Sequence, residues 1–188
     1  AMPPRLVEAF VSAEDKGFYQ HFGVDLRALA RAAVTNLLNY GTGRRPIGAS
    51  TITQQVTKNF LLTNELSIER KIKEAILSLR MERAFSKNQI LELYLNEIYL
   101  GMGSYGVAAA ALNYFDKPLD QLALAEMAYL AALPKAPNNY HPERNHLAAV
   151  ARRNWVLDEM RQNGYITKAE VETAKSEPLL LKRQSGFD

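Results

Sequence analysis

The amino-acid sequence predicts an all-α fold, mainly helical, with at most a small β-hairpin near residues 40–50. Apolar residues recur mostly at the spacing of one helix face, and no segment alternates between apolar and polar residues as a half-buried strand does. Residues that start helices, such as Asp25, Ser67 and Thr167, stand just before several of these apolar segments. Glycine and proline separate the segments, so we expect a series of helices joined by turns.

Composition limits the classes of protein to consider. The 188 residues are 47% hydrophobic, which suffices for one domain with a core and a smaller lobe. The net charge of +3 favours an anionic partner: a phosphate compound, a nucleic acid or an acidic membrane surface. The absence of cysteine excludes disulfides and thiol catalysis. No run of about 18 apolar residues predicts a membrane-spanning helix, and no signal peptide is visible.

The helix boundaries follow from the apolar spacing and from the residues that flank it. Ser86 with Gln89 is a capping box for the fifth helix, and Gly164 is a natural end for the eighth. The fourth helix is expected to bury an apolar stripe made of Ile68, Ile72, Ile76 and Leu79. The predicted helices cover residues 4–13, 25–40, 51–62, 67–83, 86–99, 107–115, 122–133 and 143–163, and a short helix follows Thr167.

The first segment whose residues could take part in a reaction is EDKGFYQHFG, residues 14–23. It places an adjacent pair of carboxylates, Glu14 and Asp15, at the end of an apolar helix. Carboxylates are rarely buried unless they are paired or serve a function. A solvated helix end followed by a turn would explain this segment taken alone, so its interpretation depends on the segments downstream.

The second segment is GASTITQQVTKN, residues 48–59. Its hydroxyl, amide and lysine side chains stand at the start of a helix, behind a glycine-rich break that carries Arg44 and Arg45 and should be mobile. A helix N-terminus with hydroxyl donors and nearby cations suits a phosphate or a sugar. A helix cap explains Ser50 or Thr51 alone, but it does not explain two adjacent glutamines followed by lysine and asparagine.

Two further segments are RKIKE, residues 70–74, and KNQILELYLNEIYLG, residues 87–101. On a helix, Glu74 lies within reach of both Arg70 and Lys71, on the side away from the apolar stripe. An ion pair on a solvated face would explain the first of these segments alone. The apolar residues of the second suit a core helix, so most of it is expected to be structural.

Taken in order, these segments resemble the peptidoglycan glycosyltransferases, which form the glycosyltransferase domain of bifunctional class A penicillin-binding proteins of Gram-negative bacteria. The motifs are EDKGFYQHFG, GASTITQQVTKN, RKIKEA, KNQILELYLNEIYLG and RRNWVL, and the resemblance runs from about residue 3 to residue 178. STITQQ followed by RKxxE and YLN in this order is highly specific. The family usually has glutamine just before the glycine of the second motif, where this chain has Ile47.

The resemblance implies a lysozyme-like helical fold and a reaction on lipid II, a disaccharide-pentapeptide carried on a polyprenyl diphosphate. The reducing-end sugar of the growing glycan joins the 4-hydroxyl of an incoming lipid II through a β-1,4 link, with inversion, and polyprenyl diphosphate leaves. Glu14 matches the catalytic glutamate of the family and is the expected general base. Glu74 matches the second acidic residue, and Asp15 is expected to position the loop.

The remaining site residues implied by the resemblance serve the diphosphate and the sugars. Cations aimed at the leaving diphosphate stabilise the charge that develops there, and the candidates are Lys58, Arg70, Lys71, Arg44 and Arg45. Hydroxyl and amide groups are expected to hold two sugars in line, and the candidates are Ser50, Thr51, Gln54, Gln55 and Asn59. No metal-ligand cluster is legible, and the resemblance requires no cofactor. Some members of the family use a divalent cation on the diphosphate, so Mg²⁺ or Mn²⁺ bound there is the one candidate.

The resemblance also implies an organisation into domains. Residues 1–178 would form the glycosyltransferase domain, with a small mobile membrane-proximal lobe around residues 37–66, and residues 179–188 a tail or the start of a linker. We expect a longer parent chain with an N-terminal membrane helix and a transpeptidase domain, at the periplasmic face of the bacterial inner membrane. The expected partners are lipid II, the growing glycan strand and the membrane surface. Candidate membrane contacts, which could equally be core, are Leu37, Leu38, Tyr40 and the run Phe60-Leu61-Leu62.

Two other functions remain open at this point. A lysozyme-like muramidase or lytic transglycosylase also places two carboxylates at a sugar bond, but it has no diphosphate for Lys58, Arg70 and Lys71 to neutralise. A basic module that binds nucleic acid or anionic lipid would cluster its arginines along one helix. The basic residues here stand among carboxylates at motif positions, so no nucleic-acid partner is expected.

Overall fold

A computed structural model describes residues 2–44, 46–61, 67–134 and 136–182. In these ranges the regular elements are helices, and the only strand-like pairing is an isolated antiparallel bridge between Tyr99 and Tyr105. The prediction of an all-α fold is therefore confirmed, and the described residues between 40 and 50 form no strand. The α-helices are α1 (Pro4–Glu14), α2 (Leu26–Leu38), α3 (Ile52–Lys58), α4 (Ile68–Ala84), α5 (Lys87–Glu97), α6 (Val107–Phe115), α7 (Leu124–Ala132), α8 (His146–Gln162) and α9 (Lys168–Ser176), and two short 3-10 helices cover Leu119–Gln121 and Pro137–Tyr140.

Side-chain caps fix the starts of several helices at the residues that the sequence indicated. Asp25 accepts a hydrogen bond from the N–H group three residues along the chain, at 3.0 Å. Thr167 and Glu170 exchange two such bonds at the start of α9, and Ser86 and Gln89 do the same at α5. These bonds satisfy donors that a helix N-terminus leaves unpaired, so the predicted starts are confirmed.

Helices α3 and α8 are shorter than the apolar pattern predicted. Helix α3 ends at Lys58 because the next two N–H groups bond to carbonyls three residues back, at 3.1 and 3.0 Å, which tightens the chain into 3-10 geometry. Helix α8 begins only at His146. The ring Nδ1 of His141 accepts hydrogen bonds from the N–H groups of Glu143 and Arg144, both at 3.1 Å, and this local turn replaces a first helical turn.

The chain divides into two compact units, and the division falls within α5. The first unit comprises residues 1–16 and 92–188 and contains α1 and α6 to α9. Helix α7 packs against α1 and α8, and most of its residues are buried, as its almost wholly apolar sequence predicts. Among the largest fully buried side chains of this core are Phe10, Tyr114 and Tyr129.

Arg153 on α8 ties the segment that follows α9 to this core. The side chain is 1% exposed and donates from Nη1 to the carbonyl of Glu177 at 2.8 Å and from Nη2 to the carbonyl of Lys175 at 3.2 Å. Its Nε also donates to Asn154 at 3.2 Å. Burial lowers the pKa of Arg153, and the charge of Glu177 opposes that shift. Arg153, a residue of the fifth motif RRNWVL, therefore has a structural role.

The second unit, residues 17–91, contains α2, α3 and α4, with α3 packed on α4. Several hydrogen bonds join the two helices. The hydroxyls of Thr57 and Ser78 lie 3.0 Å apart, and Ser78 also donates to the Glu74 carbonyl at 2.8 Å. Thr53 donates to Glu82 at 2.8 Å. The expected small lobe at residues 37–66 falls within this wider unit, although its residues 62–66 lie outside the described ranges.

The apolar stripe expected to be buried on α4 is exposed to solvent, so that prediction is wrong. Ile68 is 82% exposed, and the other three members of the stripe are between 45% and 55% exposed. The opposite face is buried instead, through Arg70, Glu74 and Ser78. Helical spacing identifies an apolar face but not what covers it, and in this unit α3 covers the polar face.

Helix α2 also presents apolar side chains to solvent, and only Ala32 is buried within it. Four residues that we left open as core or membrane contacts are well exposed: Leu37, Leu38, Tyr40 and Phe60. Leu61 is partly buried, and Leu62 lies outside the described residues. Across the described ranges, no helix combines the length and the apolar character that crossing a bilayer requires.

Candidate active site

Glu14 and Asp15 stand at the end of α1, in the first unit. Glu14 is the last helical residue and is partly buried. Phe10, one turn earlier on the same helix face, is completely buried. Asp15 leaves helical geometry at a φ of −161°, is 8% exposed, and donates from its N–H to the Val11 carbonyl at 3.0 Å. Both carboxylates are therefore fixed to a helix that is anchored in the core.

Tyr94 on α5 is a buried phenol within electrostatic reach of these two carboxylates. Its ring meets Phe10 edge to face, with 6.1 Å between ring centroids. Within the described part of the chain, its hydroxyl has no hydrogen-bond partner. Burial raises the pKa of Tyr94 well above its usual value, and the charges of Glu14 and Asp15 raise it further. The phenol therefore keeps its proton and adds a neutral dipole to the surroundings of the carboxylates.

The rest of the first motif, residues 17–23, forms a compact turn in the second unit. Phe18 is fully buried, and its ring stands edge-on to His21, with centroids 5.7 Å apart. The Nδ1 atom of His21 accepts the Gly23 N–H at 3.0 Å. Gly23 has a φ of +108°, and a Cβ there would lie 2.7 Å from the carbonyl oxygen of Ser78, so this position requires glycine. Phe18 and His21 thus brace the first motif.

Thr51 and Gln54 start α3 with a reciprocal capping box. The Thr51 hydroxyl oxygen accepts from the Gln54 N–H at 3.0 Å, and the Gln54 side-chain oxygen accepts from the Thr51 N–H at 2.9 Å. The Thr51 hydroxyl also donates to the Gly23 carbonyl at 2.6 Å, which joins the second motif to the turn of the first. The other candidates in this segment are partly buried or exposed: Ser50, Gln55, Lys58 and Asn59.

Helix α4 buries three polar side chains at successive four-residue intervals: Arg70, Glu74 and Ser78. Glu74 has no exposed surface, and its Oε1 lies 3.4 Å from Lys71 Nζ, so the ion pair indicated by the spacing is present. Among the described residues, no partner meets Glu74 Oε2 or Arg70 Nε. Burying charged groups without full pairing is costly. Buried polar atoms without a partner are candidates for contact with a ligand.

Asn36 on α2 anchors the segment that leads into the second motif. Its Oδ1 accepts the Ile47 N–H at 2.7 Å, and its Nδ2 donates to the Ile47 carbonyl at 3.1 Å. Both bonds use the main chain of Ile47, so they do not depend on the side chain that departs from the family's glutamine. Arg44, just before this anchor, is exposed, and Arg45 lies outside the described residues.

The second unit places most of the candidate residues on or beside the pair α3 and α4, whereas Glu14 and Asp15 belong to the first unit. In the ranges that the structure describes, no three His, Asp or Glu side chains form a group that could hold a metal ion. Several polar residues with central contacts were not among the predicted site residues: Asn36, Ser78, Glu82, Lys87 and Tyr94. Lys87 and Tyr94 belong to the fourth motif, so the sequence offered a signal for them. Asn36, Ser78 and Glu82 lie in none of the motifs.

Comparison with known proteins identifies the family of this chain. Its sequence matches the transglycosylase family over residues 1–161. Penicillin-binding protein 1A of Rickettsia felis is 56% identical over 98% of this chain, that of Aquifex aeolicus 50% identical over 99%, and that of Escherichia coli 49% identical over 95%. The chain spans only 23%, 25% and 21% of the length of these relatives.

A solved structure supports the same assignment at the level of the fold. The crystal structure of penicillin-binding protein 1A from Haemophilus influenzae matches with a TM-score of 0.56 and 30% sequence identity, over 98% of this chain and 17% of that chain. Both the family match and the relatives cover nearly all of the region in which the motifs stand. As the order of its motifs predicted, this chain belongs to the transglycosylase family.

Proposed function

We propose that this domain polymerises lipid II into β-1,4-linked glycan strands during synthesis of the bacterial cell wall. One observation carries the proposal: α4 buries a carboxylate and a guanidinium, Glu74 and Arg70, whose Oε2 and Nε atoms find no partner in the described part of the chain. A diphosphate-linked sugar supplies both an anion for the guanidinium and hydroxyl donors for the carboxylate.

Glu14 is the proposed general base of the transfer. The O4–H bond of the incoming lipid II breaks, and its proton passes to a carboxylate oxygen of Glu14. The O4 atom bonds to the anomeric carbon of the growing strand from the face opposite the diphosphate. The bond from that carbon to the diphosphate oxygen breaks at the same time, and polyprenyl diphosphate leaves with the electron pair. A hydroxyl is a poor nucleophile until its proton is removed in the transition state, which is the task of this base.

The cations of the second unit are proposed to stabilise the departing diphosphate. Arg70 and Lys71 lie on α4, with Lys71 oriented by Glu74 at 3.4 Å. Lys58 lies at the last turn of α3, and Arg44 precedes the anchor of Asn36 on Ile47. Arg45 is included among these proposed cations because of its position in the sequence. Preorganised cations of this kind are commonly the largest contribution to lowering the barrier.

A divalent cation enters the proposal only as a ligand of the substrate. The described residues offer no group of three carboxylate or imidazole side chains for a metal ion. Mg²⁺ is commonly bound through substrate phosphates together with one or two carboxylates. We therefore assign Mg²⁺ or Mn²⁺ no step of the transfer.

Hydroxyl and amide groups at the start of α3 are proposed to align the two sugars. Ser50, Gln55 and Asn59 offer donors and acceptors for this purpose. Thr51 and Gln54 act on the same site through the capping box that fixes the helix start. Asp15 is proposed to hold the first motif in place.

We further propose that the domain works at a membrane surface, on the periplasmic face of the inner membrane, within a longer chain that also carries a transpeptidase domain. The lipid tail of the substrate stays in the bilayer. The exposed apolar side chains of the second unit support this proposal, because apolar surface left in water can be buried at a membrane interface. They include Leu37, Leu38, Tyr40, Phe60, Ile68 and Ile72.

Replacement of the base tests the proposed reaction. We expect Glu14→Gln to lower the rate of lipid II polymerisation by at least about 100-fold, because general-base catalysis contributes about 10²–10⁴-fold. Binding of lipid II should change little, since the amide keeps the size of the carboxylate. The measurement resolves glycan products of labelled lipid II by size and compares initial rates.

Glu69→Gln is the matched control, because Glu69 lies on the exposed surface of α4 in a solvated pair with Lys73. It should retain full activity. Near-normal turnover of Glu14→Gln would remove the assignment of the base, and shortening of preformed glycan by the unmodified protein would favour a hydrolase instead.

A further inference from the structure

We propose that Lys87, the first residue of α5, is a positioning residue for glycosyl transfer, which it serves by fixing the turn of residues 17–23 that follows the proposed base. The inference rests on the proposed function and extends it to a residue outside the predicted site. Lys87 belongs to the fourth motif, which we expected to be mainly structural.

The ammonium group of Lys87 meets three groups of the second unit at once. Its Nζ donates to Glu82 Oε1 at 2.8 Å and to the His21 carbonyl at 2.8 Å. It also lies 4.4 Å from the centroid of the Phe18 ring, in cation–π geometry. A lysine ammonium has three N–H donors, so it can make several such contacts at once. Two of the contacts, with the His21 carbonyl and the Phe18 ring, are to the turn itself.

Glu82 extends this arrangement to the second motif. The same Oε1 atom accepts the Thr53 hydroxyl at 2.8 Å, and Thr53 lies on α3 with no exposed surface. The Glu82 side chain is 9% exposed and the Lys87 side chain 24% exposed, so the pair is shielded from solvent. Removing one member of a shielded pair leaves the other charge uncompensated. Lys87, Glu82 and Thr53 therefore connect α5, α4 and α3 to the turn.

Within the turn, the N–H groups of Gln20 and His21 bond to the Gly17 carbonyl at 2.9 and 3.2 Å. Contacts from outside bind two more of its carbonyls: Lys87 binds that of His21, and the Thr51 hydroxyl binds that of Gly23 at 2.6 Å. Loss of the Lys87 contact would therefore weaken the hold on the turn at the His21 carbonyl.

Asp15 has already left helical geometry, and only Asp15 and Lys16 separate the turn from Glu14. Movement of the turn would therefore act on the end of α1 that carries Glu14. A displacement of about 1 Å in a reacting group can lower a rate about 100-fold. The loss should appear in kcat rather than in KM, because Lys87 is argued to touch the turn and not the substrate.

The test compares Lys87→Met, which keeps the aliphatic chain but removes the charge, with Lys87→Arg, which keeps the charge. We expect Lys87→Met to lower kcat for lipid II polymerisation about 10- to 100-fold, with KM within about twofold, and Lys87→Arg to recover part of the loss. Lys73→Met is the control, because Lys73 is 60% exposed in a solvated pair on α4. Rates are expressed per folded molecule, as determined by near-UV circular dichroism.

A second measurement does not depend on activity. Hydrogen–deuterium exchange of peptides covering residues 17–23 should be at least about tenfold faster in Lys87→Met, since the turn loses its contact at His21. Glu82→Gln serves as an independent variant of similar size and should produce the same local change. Unchanged exchange in both variants, or unchanged kcat in an active protein, overturns the role of Lys87. Failure of the unmodified protein to elongate glycan, with exchange responding as predicted, would instead overturn the proposed function.

Discussion

At the scale of single residues, the role proposed for Glu74 is in conflict with the stability of the fold. It has no exposed surface, its Oε1 meets only the half-exposed Lys71 at 3.4 Å, and its Oε2 meets no partner among the described residues. A buried carboxylate in this state is costly to the fold. Proteins retain such groups where activity needs them.

Replacing Glu74 with glutamine should separate the two effects. We expect Glu74→Gln to lower polymerisation at least about 100-fold, while the free energy of unfolding stays equal or rises by about 1 kcal/mol, because an amide is less costly to bury than a carboxylate. Urea unfolding and the glycan assay provide the two measurements. A large loss of stability with normal turnover per folded molecule would show that Glu74 is structural.

Arg153 is the opposite case, since its hydrogen bonds to other described residues lie within the first unit. It is buried, and it donates to the carbonyls of Lys175 and Glu177. We expect Arg153→Met to lower the free energy of unfolding by about 2–4 kcal/mol, because two carbonyls lose a charged donor that is itself buried. Turnover per folded molecule should stay within about twofold. A selective loss of turnover, without destabilisation, would contradict this assignment.

At the scale of elements, α4 is a helix whose polar face is buried and whose apolar face is exposed. Its partner α3 carries hydroxyl groups, Thr53 and Thr57, and both form hydrogen bonds to α4. The apolar stripe on the other face stays exposed among the described residues. That exposure fits the proposed action on a substrate anchored in a bilayer.

The exposed stripe gives a prediction about stability and membrane binding together. We expect Ile68→Gln with Ile72→Gln to change the free energy of unfolding by less than about 1 kcal/mol, because both side chains are already exposed. Binding to vesicles of anionic phospholipid should weaken about tenfold, since apolar area available for burial is lost.

Leu130→Ala provides the comparison for stability, since Leu130 is completely buried in α7. It should cost about 2–5 kcal/mol. If the stripe variant destabilises the protein to the same extent, the stripe is part of a core. If its vesicle binding is unchanged, the stripe does not contact the membrane.

At the scale of the whole molecule, local signals in the sequence predicted the elements well, because caps and breaks act within a few residues. Asp25, Ser67 and Thr167 start helices where expected. Such local signals could not predict which face of α4 is buried. The Ile68 and Ile72 periodicity defines a face, but only the tertiary packing of α3 decides which face is covered.

The candidate site shows the same limit. Motif order was specific enough to indicate the family and the segments that carry the site. It could not show that Thr51 and Gln54 cap a helix, or that Lys87 reaches the His21 carbonyl 66 positions away in the sequence. Such contacts depend on the fold bringing distant segments together.

The most direct test of the central claim is incubation of the purified chain with labelled lipid II in detergent, with products resolved by size. We expect ladders of elongated glycan that muramidase digests, together with release of polyprenyl diphosphate. Preformed glycan that becomes shorter, with no elongation and no diphosphate released, would contradict the assignment of this domain as a glycan polymerase.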